Sequence, residues 1–253
     1  MLAIKRPFSN LKDFLIGIAL YAAPSIIALL LSTYSGKGVS GTTLLFLVGI
    51  LSIAAELLVG GYFFQCAKSA VKQDFFLPEW TEFGNLFAKG FLSLLISFLY
   101  ALPVILILSL FVFIVLGIKF ADLAAATPEQ AFTLLGSGII VIIACILFLF
   151  YMLPLAVVRF AATNQFSEAF ALRKIFRTLF TERYAATAIA ILLYNIAILF
   201  LVGILGYFTQ FASTLIPLWN IVISIVTSIT SFAVGVTTMT AFGELYGELG
   251  DAV

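Results

Sequence analysis

Six apolar runs, each long enough to cross a bilayer as a helix, decide what this chain can fold into. They cover roughly 14–32, 43–66, 91–118, 137–158, 184–207 and 219–242. About 20 helical residues reach across the ~30 Å hydrocarbon layer. Lipid offers no partner to an unpaired backbone group, so runs of this kind must be helical. The composition agrees. The chain is 63% hydrophobic and 10% charged, whereas a soluble domain is nearer half apolar and about a quarter charged. The excess apolar surface has to face lipid. The reading is an all-α membrane protein: a six-transmembrane-helix bundle forming a single integral membrane domain over 1–253.

The N-terminal run follows Lys5, Arg6 and Lys12. It is long for a signal-peptide core and no small-residue cleavage site follows it, so it reads as the first span. Basic residues set the orientation. Lys5, Arg6 and Lys12 precede span one. Lys68, Lys72 and Lys89 lie between spans two and three. Arg159, Arg173, Lys174, Arg177 and Arg183 lie between spans four and five. Only Lys37 and Lys119 fall in the alternate connections. The positive-inside rule then predicts a cell-membrane protein, multi-pass, with both termini cytoplasmic.

Two connections have helical periodicity of their own. In "LPEWTEFGNLFAKG", Trp80, Phe83, Leu86, Phe87 and Gly90 alternate with Thr81, Glu82, Asn85 and Lys89. This predicts a cytoplasmic interfacial amphipathic helix over 79–90, started by Pro78 and anchored at headgroup depth by Trp80, Phe83 and Phe87. In "FSEAFALRKIFRTLFTERY", Leu172, Ile175, Phe176 and Leu179 oppose Arg173, Lys174 and Arg177. A second interfacial helix over 167–182 is expected, with Ser167 as N-cap. Outside, "TPEQ" reads as a helix start, with Thr127 as N-cap, Pro128 at the first helical position and Gln130 closing a capping box. That predicts a short external helix or an ordinary loop with one helical turn. "YAAPSI" and "YALPVI", "FSNL" and "FGNL", and the returning "YFFQCAK" and "YMLPLAVVR" suggest three related helical hairpins.

"LPEWTEFGNLFAKGF", "AVVRFAATNQFSEAFALRKIF" and the terminal "TAFGELYGEL" together resemble a family of archaeal and bacterial multi-pass membrane proteins catalogued as a domain of unknown function. The resemblance covers most of the chain from Leu77 onward, while the first hairpin, with its longer "YSGKGVSG" connection, departs from it. It implies a six-span fold and a membrane location. It implies no reaction.

Catalytic sets are missing. With no histidine, a Ser-His-Asp or Cys-His arrangement is excluded. There is no CxxC, P-loop or HExxH pattern. Two cysteines, Cys66 and Cys145, read as core hydrophobes and cannot form an ordinary zinc site. The expectation is a protein that is not an enzyme, with no metal and no cofactor. A formal net charge of +1 gives no case for nucleic acid. Glu56, in "LSIAAELLVGGYFF", is the exception among the acids, because it falls near the middle of span two. An ionised carboxylate there costs a few kcal/mol. Glu56 is therefore expected to be buried between helices, protonated or paired with Asn195, Asn220 or Tyr100. It is either a proton, cation or headgroup site, or a residue that hydrogen-bonds helices together. Gly60 and Gly61 suit close helix packing. The Ser/Thr-rich course of span six, "SIVTSITS", suits packing or a polar path. Arg173, Lys174, Arg177 and Arg183 are candidate contacts for anionic lipid headgroups. Two functions follow: a non-enzymatic membrane module that binds lipid or a protein partner, or a small-solute, ion or proton transporter or channel using Glu56.

Overall fold

The computed structural model describes residues 2–34, 41–123, 128–215 and 219–249. Among these there is no strand. Helix α1 (Leu2–Lys5) and a 3₁₀ turn (Arg6–Phe8) lead into α2 (Leu11–Tyr34), α3 (Gly41–Val71), α4 (Phe83–Leu123) and α5 (Pro128–Thr163). A second 3₁₀ turn (Phe166–Phe170) and the short α6 (Leu172–Leu179) precede α7 (Glu182–Leu215) and α8 (Trp219–Leu249). Six of these helices, α2, α3, α4, α5, α7 and α8, are long and apolar enough to cross a membrane. The protein is a multi-pass membrane protein built as a helical bundle.

The spans bury little of themselves. Phe113 is 74% exposed, Leu199 73% and Phe200 68%. Side chains this apolar cannot face water around a whole bundle, so they face lipid. Helix α3 sits at the centre, against α2, α4, α5 and α8. One buried cluster joins α3, α5, α7 and α8 through Phe64, Phe160, Tyr184 and Phe242. The other joins α2, α3, α8 and the 72–82 connection through Phe14, Tyr62, Trp80 and Phe232.

Helix α3 can be central because glycines thin it. A Cβ on Gly61 would lie 1.9 Å from the Leu86 carbonyl oxygen of α4, and one on Gly90 would lie 1.8 Å from the Leu57 carbonyl oxygen of α3. The two backbones therefore touch where the helices cross.

The stretch over 79–90 is not an interfacial helix. Residues 74–82 are irregular, Glu82 has a φ of 53°, and α4 starts at Phe83 and runs unbroken into span three. Trp80 is not an interface anchor either. It is buried, stacks on Tyr62 at 4.0 Å and 6° between planes, and donates its indole N–H to the Asp13 carbonyl at 2.8 Å. Tyr62 donates to the Pro78 carbonyl at 2.8 Å, and the Leu77 N–H reaches Ser9 Oγ at 3.0 Å. The physical reason is that an indole with a carbonyl acceptor and an aromatic platform gains more inside the bundle than at a headgroup. The connection is a strap folded into the core. Phe83 and Phe87 stay exposed, on the first turns of α4.

The second connection does carry its own short helix, α6, with Ile175 and Leu179 buried and Arg173, Lys174, Phe176 and Arg177 exposed. Ser167 does not cap it. Ala171 holds the N-cap position without a side-chain bond, and Ser167 lies inside the preceding 3₁₀ turn. No separate external helix forms from "TPEQ": Pro128 opens α5, which continues as span four. Thr127 and Lys37 lie outside the described residues, and Lys119 falls within α4.

Four segments gather at one end of the bundle. Arg6 is 1% exposed and ties three of them together. Its guanidinium donates to the Cys66 carbonyl at 2.8 Å, Thr240 Oγ1 at 2.9 Å, the Phe76 carbonyl at 3.0 Å, and Ser69 Oγ. Burial pushes its pKa down, while Cys66, Asp74 and Tyr62 oppose the shift. The fourth segment, after α5, is joined by Lys89, which donates to Asn164 Oδ1 at 2.6 Å.

Candidate intramembrane site

Glu56 lies in the middle of α3, one helix turn before Gly60, within a window apolar enough to span a membrane. It is not buried between helices, as the cost of an isolated carboxylate led us to expect. It is exposed, on the wall of a cavity of about 280 Å³ between α2, α3 and the first turns of α8. The physical reason is local. The facing positions carry no long apolar side chain to close over the carboxylate. Instead they present Tyr21, Pro24 and Ser25 from α2, Ser52 and Ala55 from α3, and Ser224, Thr227 and Ser228 from α8.

This lining has six hydroxyls around one carboxylate. Ser52 donates to the Val48 carbonyl at 2.9 Å, and Ser228 to the Ser224 carbonyl at 2.8 Å. Such back-bonding uses the hydroxyl proton and leaves the oxygen lone pairs as acceptors. Pro24 has no N–H, so the helical bond to the Leu20 carbonyl is not made. The site is thus rich in acceptors, and Glu56 is the only acid in its lining. It suits a group that brings hydrogen-bond donors or positive charge.

The partners proposed from sequence are elsewhere. Tyr100 donates to the Ala169 carbonyl at 2.7 Å, in the second strap, the connection over 164–181. Asn195, on α7, leaves its Oδ1 without a partner among the described residues, and it does not line this cavity. Asn220 is exposed on the first turn of α8. The hydroxyl residues that do meet Glu56 were visible as "YAAPSI" and "SIVTSITS". Which helices bring them together depended on packing that apolar patterning does not encode.

The basic candidates sit away from this cavity, in the segment after α5 at the end of the bundle where the four segments gather. Arg173, Lys174, Arg177 and Arg183 are all exposed. Lys174 Nζ lies 3.4 Å from Glu168, whose firmer partner is the buried Arg159 at 2.5 Å. That Arg159 bond, reinforced by Lys174, holds the Glu168 carboxyl below the usual carboxylate range despite a smaller opposing push from desolvation. Tyr151 donates to the Leu179 carbonyl at 2.6 Å. It plays toward the second strap the part Tyr62 plays toward the first.

Among the described residues there is no group of three or more His, Cys, Asp or Glu that could hold a metal ion. A family model described as a protein of unknown function (DUF4013) matches residues 44–209. No curated protein and no solved structure matches the chain.

Proposed function

The chain belongs to the DUF4013 family, and on that premise we propose that it is a non-enzymatic membrane module that binds a small polar or cationic group in the cavity around Glu56. One observation carries the reading: a carboxylate at mid-span opens onto a hydroxyl-lined space instead of being packed away. Leaving an ionisable group unpartnered at that depth costs a few kcal/mol. An occupant with donors or a positive charge offsets that cost. At about 280 Å³, the cavity is just below the ~300 Å³ at which drug-sized ligand sites begin, so its occupant is small. A small solute or the ammonium of a lipid headgroup fits its chemistry.

The exposed face of α6 supports a second contact, with the membrane surface. Leu172, Phe176 and Phe180 are exposed beside Arg173 and Arg177. Apolar side chains entering the interface and guanidiniums above them suit anionic lipid, at about 1 kcal/mol for each charge near the surface. The positive-inside rule puts this end, with both termini, in the cytoplasm of a cell whose plasma membrane holds the protein.

Thiol labelling tests the main reading. With Cys66 and Cys145 replaced by alanine, Ser25→Cys or Thr227→Cys reports from the cavity wall. A cationic methanethiosulfonate should react faster there than an anionic one, and Glu56→Gln should erase the preference. Equal rates with Glu56 in place would end the proposal. Cation or proton flux in vesicles, lost in Glu56→Gln, would make the protein a transporter instead.

A further inference from the structure

The three helices that hold the Glu56 cavity are packed shut on one side of it and open on the other. Toward the Arg6 end, Ile18 of α2, Val59 and Tyr62 of α3, and Phe232 and Val236 of α8 are all buried. Phe232 lies one turn beyond Ser228 of the cavity wall. Its ring centre is 5.7 Å from those of Phe14, Tyr62 and Phe63. The ring fills the hollow beside Gly17, where a Cβ would come within 2.1 Å of it, and the Phe63 ring fills the matching hollow beside Gly235 at 2.2 Å. Two turns farther along α8, Arg6 adds a second layer through its bonds to Thr240 and the Cys66 carbonyl. An interior packed in this way leaves no path for a solute.

Away from Arg6 the same helices bury nothing. No side chain from Ser25 to Leu31 of α2, from Phe46 to Glu56 of α3 or from Trp219 to Thr227 of α8 is buried. A helix packed along its neighbours buries a stripe at every turn, so the three stand apart over these stretches. Ser25, Glu56 and Thr227 are exposed where the separation begins.

We propose that the Glu56 cavity is the floor of a vestibule that opens only at the end opposite Arg6, and that its ligand enters from there. This rests on the reading of the cavity as a binding site and adds the side from which the site is filled. On the positive-inside reading that side is extracellular. The ring layer around Phe232 is the seal that keeps the occupant from the cytoplasm.

Thiol labelling in sealed vesicles reads the side. The full-length protein, with Cys66 and Cys145 replaced by alanine, carries one new cysteine at a time. Lys12→Cys, exposed on the first turn of α2, marks the Arg6 end. A membrane-impermeant cationic methanethiosulfonate is added to the outside of right-side-out and of inverted vesicles. It should reach Lys12→Cys in one preparation and Thr227→Cys in the other. Val236→Cys, set in the packed layer, should react about tenfold or more slowly in both, because a buried thiol is inert. The charge of the preferred reagent tests the binding reading and the side of the reaction tests the access, so the two can fail separately. A donor group can arrive dissolved or on a lipid headgroup. Slower labelling of Thr227→Cys in phosphatidylethanolamine than in phosphatidylglycerol vesicles identifies the headgroup of that leaflet, and equal labelling identifies a dissolved solute. Reaction of Thr227→Cys from the same side as Lys12→Cys, or from both sides, overturns the proposal. So does reaction with a lipid-soluble maleimide alone, which would turn the opening toward the lipid.

Discussion

Gly61 and Gly90 meet where α3 and α4 cross, each in a position where a Cβ would strike a carbonyl oxygen of the opposite helix at under 2 Å. A backbone oxygen cannot rotate away as a side chain can, so a methyl group at either position must push the helices apart. Gly61→Ala and Gly90→Ala should each destabilise the bundle by about 1–3 kcal/mol, the range for overpacking. Gly49 and Gly84 have nothing within 4 Å of an added Cβ, so their alanine variants should unfold like wild type. Thermal unfolding in one detergent checks all four.

Trp80 separates a core strap from a membrane anchor. Its ring lies on Tyr62 and its N–H is bonded to Asp13. In a Trp219→Phe background, Trp80 should be the only tryptophan emitter. Lipids brominated near the headgroup should quench it weakly, far less than they quench a Phe83→Trp reporter placed in a Trp80→Phe chain. Equal quenching of the two would return Trp80 to the interface. Trp80→Phe keeps the stack but loses the bond to Asp13, and should cost about 1 kcal/mol.

The six spans and the grouping of basic segments could be read from the chain, because lipid as a solvent leaves so few choices. A run of apolar residues has to become a helix there. The strap was harder to read. Leu86 and Gly90 do lie on one buried helical face, so the periodicity over 83–90 was real. It extends backward to Trp80 only by coincidence of spacing, because Glu82 takes a left-handed conformation and the helix cannot begin before it. Glu56 stands out in the sequence as an acid at mid-span, yet Asn195, Asn220 and Tyr100 do not line its cavity. Ser25, Ser52, Thr227 and Ser228 come from three helices whose adjacency is set by small residues and aromatic packing, such as Phe232 over the Gly17 position. Those contacts leave no periodic trace in sequence.

Acid should loosen the second strap. The Arg159 bond lowers the pKa of Glu168 in the folded protein. A lowered acid stabilises the fold fully above its unfolded value, and the contribution fades as the pH falls below the ordinary carboxylate range and through the lowered value. Protection from hydrogen exchange over 166–179, taken relative to the intrinsic rate at each pH, should therefore fall between pH 5 and pH 3 (about the carboxylate range) more than protection in α3 does. Glu168→Gln should be less protected over 166–179 at neutral pH and lose that step. An unchanged pH response in Glu168→Gln would assign the step to another group.

The cavity around Glu56 should hold a ligand. Native mass spectrometry of the protein extracted directly from its membrane into nanodiscs tests it most directly. Wild type should carry one small-molecule or headgroup adduct more than Glu56→Gln, with both proteins equally folded by circular dichroism. Equal adduct numbers in the two proteins, or a bare wild type, would contradict it.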